Sequence, residues 1–95
     1  MHPADPHPSV VAGEDRGVLR EAALCIRTRD APDGSLELEG EVPPHLARPF
    51  VRAHRRVADG LAADDAAAGR EVRSGGRLDA DALVALLLRI TDGDR

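Results

Sequence analysis

Neither tryptophan nor tyrosine occurs in this 95-residue chain, and Phe50 is its single aromatic residue. A core must therefore be assembled from Leu, Val, Ile and Ala, and no aromatic residues interleave the arginines as nucleobase stacking would require. Lysine, asparagine and glutamine are absent too, so that all 13 cations are arginine. That bias belongs to a GC-rich genome more than to any site chemistry. The one cysteine, Cys25, excludes an internal disulfide, and its expected place on a strand suits a small half-buried residue better than a nucleophile. Long apolar runs are missing: the longest, Ala82 to Leu88, falls far short of the roughly 20 residues that span a bilayer. The first residues lack the basic-then-apolar pattern of a secretory signal, so the expectation is a soluble, cytoplasmic protein. A net charge of −4 counts against a general nucleic-acid binder, whose affinity comes mainly from cations on phosphates.

Ninety-five residues can hold one small domain, with little surplus burial once the entropy of ordering is met. Residues 1–13 are Pro-rich and carry neither period, and a disordered tail is expected there. Residues 14–95 form the domain. The stretch Val18 to Ala23 fits a short helix or an early strand; the strand reading is preferred, with β structure from about Ala22. Ala31-Pro32-Asp33-Gly34 then supplies the residues of a type I turn closed by a glycine bulge. Such a loop sets Ala31 opposite Ser35, which fixes every pair further out: Arg29 with Glu37, Thr28 with Leu38, Arg27 with Glu39, Ile26 with Gly40, Cys25 with Glu41, Leu24 with Val42. Charge pattern and turn chemistry agree, because a slip of one residue would set Arg against Leu.

Beyond Pro43-Pro44 the apolar residues Leu46, Phe50, Val51, Val57 and Leu61 fall at helical spacing, with regular helix expected from near Arg48. The Ala-rich stretch to Arg73 either prolongs that helix or forms a loop with a weak strand at Val72. Asp79 reads as an N-cap, stapled by Leu78, for a second helix from about Ala80 to Ile90. Apolar on most sides, that helix should be buried on more than one face, or the chain should self-associate or dock on a partner. The fold class is thus α/β: a small mixed sheet led by the hairpin, with two helices packed on it.

Two stretches resemble the STAS domain of anti-sigma factor antagonists and sulfate transporters. One is Leu36-Glu37-Leu38-Glu39-Gly40-Glu41-Val42 and the helix after it; the other is Val72-Arg73-Ser74-Gly75-Gly76-Arg77-Leu78-Asp79-Ala80-Asp81-Ala82-Leu83, leading into the apolar helix. The resemblance covers about Leu24 to Ile90 and implies a STAS-like fold truncated at its C-terminus. It implies a non-enzymatic, cofactor-free regulator whose partner is an anti-sigma factor or another protein, bound at Asp79, Ala80, Asp81, Ala82 and Leu83. The family's phosphorylatable Ser or Thr is here Asp81, its following glycine is Ala82, and the acid after its second strand is Pro43.

Each candidate also has a plainer role. Asp79 and Asp81 suit the first turn of a helix, where free N–H groups and the dipole favour negative charge, which is also where a phosphate would sit. Arg48, Arg52, Arg55 and Arg56 make a basic face that is either solvated or turned to an acidic partner. The rival readings are a small DNA-binding regulator using the Arg-rich helix 48–56 and a structural subunit of a larger complex. His45 and His54 lack companions at metal-ligand spacing, so no metal site is expected. Ser9, Ser35 and Ser74 have no neighbouring base, and phosphate-loop, paired-cysteine and nucleophile-elbow motifs are all absent, so no catalytic residue is assigned.

Overall fold

Three helix-forming stretches and two tight turns divide residues 9–92, the part of the chain that the computed structural model describes. The first turn lies within the stretch read as tail. Val10–Val11 (β1) and Glu14–Asp15 (β2) pair antiparallel across Ala12-Gly13, whose positive φ values of 49° and 81° are those of a two-residue hairpin loop. The tail expectation is thus corrected for Val10 to Gly13; residues 1–8 lie outside the described residues. Val11 is buried, and that anchors the hairpin to the core.

Asp15 then starts a helix. Its Oδ1 accepts the Val18 N–H at 3.1 Å, and residues Arg16–Leu24 form α1, with Leu19 and Ala22 on one face and fully buried. This overturns the strand expected from Ala22. The N-cap and the burial of Leu19 and Ala22 outweigh the strand propensity of Leu24-Cys25-Ile26, so the Leu24–Val42 and Cys25–Glu41 pairs do not form.

The second hairpin joins Ile26–Asp30 (β3) to Leu36–Gly40 (β4), with the expected register from Ile26↔Gly40 to Arg29↔Glu37. Gly34 adopts φ +88°, Ala31 N–H donates to the Ser35 carbonyl at 2.9 Å, and Asp33 Oδ1 accepts the Ser35 N–H at 2.9 Å. At its base only glycine fits position 40, since a Cβ there would stand 2.1 Å from the Cys25 carbonyl oxygen. All five residues of β4 are exposed.

Helix α2 runs over Pro44–Ala67, earlier at its start than Arg48, and of the two readings of the Ala-rich stretch it takes the one that prolongs the helix. Pro44 at its first position needs no intrahelical donor, and Pro49 gives up only the bond to His45 without ending the helix. Leu46, Phe50, Ala53 and Val57 recur at three and four residues and face the core. Helix α3 spans Gly75–Asp92, five residues earlier than the Ala80 start, and residues 70–74 form no strand. Ala82, Leu86 and Ile90 are its buried stripe, whereas Val84 and Leu88 are exposed, so it is buried on one side only.

The result is a small mixed α/β fold: three helices around one aliphatic core and, among the described residues, two separate two-stranded antiparallel sheets at its margin. The expected single sheet with two helices on it is not formed, because the third strand it needs is absent and α1 takes up the core position instead. Alanines 22, 53 and 82 have no exposed surface and let the helices approach closely. Arg16 closes the cluster, its Nη2 donating to the Ile90 carbonyl at 3.0 Å.

Leu86→Ala should cost about 2–5 kcal/mol, as removal of a fully buried Leu generally does. Leu88→Ala should change stability by less than about 0.5 kcal/mol. Urea unfolding of the two variants checks the placement, and equal losses would contradict it.

Candidate functional site

Asp65 is the only buried charged residue among those described, with 2 % of its surface exposed. It falls on the inner stripe of α2, one turn beyond Leu61. Its carboxylate accepts the Arg73 backbone N–H at 3.1 Å, Arg73 Nε and Nη2 at 2.8 Å each, and Arg70 Nη2 at 3.0 Å; the Arg70 backbone N–H reaches the Asp65 carbonyl at 2.9 Å. Arg73 holds the Asp65 carboxyl well below the usual range, and Asp65 in turn raises the Arg73 guanidinium. Tied to side chains, residues 70–74 have no ladder to join. Arg73 Nη1 also donates to Asp81 at 3.1 Å, and Arg77 lies 3.9 Å from the same carboxylate.

This geometry relocates the residues that the sequence singled out. With α3 beginning at Gly75, Asp79 and Asp81 stand in its second turn rather than at its N-terminus, and Asp79 is not the N-cap. The Asp79 carbonyl accepts from His54 Nε2 at 2.8 Å. Asp81 is ion-paired, Ala80 is exposed, Ala82 is wholly buried in the core, and Leu83 is half-buried.

The basic face of α2 is partly neutralised within the chain. Arg52 Nη2 donates to Glu14 Oε1 at 2.8 Å; Arg56 Nη1 donates to Glu14 Oε2 and, at 2.9 Å, to the Ala12 carbonyl. The hydrogen bond from Arg52, then that from Arg56, brings Glu14 down to a pKa of about 2. Arg48 and Arg55 remain exposed. Ser35 is engaged by Asp33, Cys25 Sγ donates to the Glu21 carbonyl, and among the described residues no cluster of His, Cys, Asp or Glu could hold a metal ion.

A mainly apolar groove of about 290 Å³ opens between the second hairpin and two helices. Leu38, Glu39 and Val42 line it on one side, Ala47 and Val51 on the other, with Leu83 at one wall and Phe50 below. Leu38 and Val51 are 37 % and 50 % exposed, which leaves adjacent apolar side chains in water. Sequence reasoning missed this site, although it had two signals. Leu36 and Leu38 alternate with Glu, and Phe50-Val51 places two apolar residues side by side on one helix, of which only one can face the core.

No protein-family model matches the chain, and no curated protein or solved structure matches it either. No helix among the described residues is long and apolar enough to cross a membrane.

Acid should loosen the protein. Glu14 is depressed from 4.5 to about 2 on folding, so its contribution is present in full above about pH 4.5 and is lost as the pH falls towards 2; Asp65 acts in the same direction. Urea midpoints should therefore fall steadily below about pH 4.5. Glu14→Gln, less stable at neutral pH, should lose less on acidification than the parent chain; parallel curves would refute the assignment.

Proposed function

We infer that the chain is a non-enzymatic regulator that acts by binding another protein, and that the groove between β4, α2 and α3 receives the partner. The observation that carries this reading is the exposure of Leu38 and Val51 across an open groove in a chain of marginal size. Apolar side chains grouped in this way cost free energy in water and gain it on being covered. Leu83 supports the same surface from the sequence side, since it belongs both to the groove and to the segment that resembles STAS regulators. Among the described residues Glu39 is the one charged residue that lines the groove, and no second titratable group lines it to share a proton transfer. DNA binding is the weaker reading, because Glu14 neutralises Arg52 and Arg56 on the one basic helix face.

The narrower form of the proposal, an anti-sigma factor antagonist, rests on the resemblance alone. In that form the chain ignores the kinase that modifies its relatives, because Asp81 replaces the modified residue and Asp cannot carry a stable phosphate ester. Asp81→Ser, incubated with a kinase-type anti-sigma factor, should gain a phosphate detectable by mass spectrometry, while the parent chain should not. Absence of the modification in both would remove the narrower reading.

The broader one is tested by panning a library of random peptides against the folded chain. Binders should emerge whose affinity falls at least about tenfold on Val51→Asp, with the thermal midpoint unchanged, as expected for a central apolar contact. A library that yields none, or binders indifferent to Val51→Asp, would overturn it.

A further inference from the structure

The groove has a strand edge along one side, and the hydrogen-bond phase of that edge can be worked out. Ala31 N–H donates to Ser35 O, so Ala31 and Ser35 form a bonded pair. In an antiparallel ladder bonded and non-bonded pairs alternate. Arg29 with Glu37 and Arg27 with Glu39 are therefore bonded pairs, and Leu36, Leu38 and Gly40 turn their N–H and C=O groups outward. Among the described residues β4 pairs with β3 alone, and α2 stands across the groove without a backbone bond to it. The outward groups of β4 are thus an unused half-ladder.

The charges on this edge select what can complete it. β3 already illustrates a strand that β4 accepts: Ile26-Arg27-Thr28-Arg29, with cations opposite Glu37 and Glu39 and uncharged residues on the other face. Arg29 pairs with Glu37, but Glu39 makes no ion pair among the described residues although it faces Arg27 and lines the groove. Pairing of two copies of β4 is disfavoured, because the antiparallel registers of greatest overlap set Glu37 against Glu39, Glu37 against Glu37 or Glu39 against Glu39. A second copy's β3 could pair with β4, but such head-to-tail pairing has no two-fold symmetry and would propagate into a ring or an open chain.

Resting on the reading of the groove as a protein-binding surface, we propose that its occupant is an extended segment of a partner protein in which cationic and apolar residues alternate, added as a third strand on the open edge of β4. Its backbone bonds to Leu36, Leu38 and Gly40. Its apolar side chains enter the groove beside Leu38, Val51 and Leu83, and its cations lie over Glu37 and Glu39. Main-chain bonds supply affinity and the alternating side chains supply selectivity.

The test uses the whole chain and two capped peptides of roughly eight residues, one alternating Val and Arg, the other Val and Glu. The Val/Arg peptide should bind at least about tenfold more tightly, and the preference should shrink as salt is raised. Hydrogen exchange at the Leu36, Leu38 and Gly40 amides should slow on binding. In the double variant Glu37→Gln, Glu39→Gln, which keeps the apolar face, the preference should largely vanish. Equal binding of both peptides, or protection confined to the helices, would overturn the proposal. So would self-association of the chain that protects the same three amides, which would name a second copy as the occupant. Failure here while library-derived binders still depend on Val51 would remove the strand and leave the groove; loss of both would remove the functional reading with it.

Discussion

A carboxylate withdrawn from water into a helical core is tolerable only if every lone pair finds a donor, and the arrangement around Asp65 follows from that requirement. Two guanidinium groups and a backbone N–H meet the one carboxylate, which fixes the path of residues 70–73. That path determines where α3 can begin, and so which of its faces meets the core. Ala82, Leu86 and Ile90 turn inward and Leu83 reaches the groove because Arg73 is held where it is. Breaking the link by removing one partner would strand a charge at the junction of two helices, whereas the same residues on an exposed loop would be nearly neutral in effect.

The ion pairs of Glu14 perform a related task at the other end of the molecule. They fasten a hairpin too short to be stable alone onto the middle of α2, and Val11 adds an apolar contact beneath them. The second hairpin is held differently. It touches the helices near Ile26 and Gly40, and its far end reaches into solvent, while Phe50 belongs both to the core and to the groove beside the hairpin.

Local chemistry was legible in the sequence, and competition between local and tertiary preferences was not. Pro32-Asp33-Gly34 specified the hairpin register because turn geometry and cross-strand charge are short-range and agree. The strand boundary was lost because Ala22 to Leu24 satisfy both periods, and the Asp15 N-cap with the burial of Leu19 and Ala22 decides for helix. Asp79 reads as an N-cap on propensity, yet the helix starts upstream because Asp65 already holds Arg73. Asp65 itself carried a signal: a lone carboxylate on the stripe formed by Phe50, Val57 and Leu61 had to be either exposed or paired at once. Of the candidate site, Leu83 is legible in the sequence, through the segment that resembles STAS regulators. Leu38 and Val51 were read as apolar positions, but their exposure depends on how far the hairpin stands from α2, which no sequence pattern specifies.

Phe50 is buried at the floor of the groove, and it is the only benzene ring in the chain. Its aromatic proton resonances are therefore isolated from any other ring except the imidazoles, and it shares the lining of the groove with Leu38 and Val51. The molecule thus carries its own magnetic reporter in the groove between β4, α2 and α3. The same scarcity makes it almost transparent near 280 nm, so the signal that marks an occupied groove is read by resonance rather than by fluorescence.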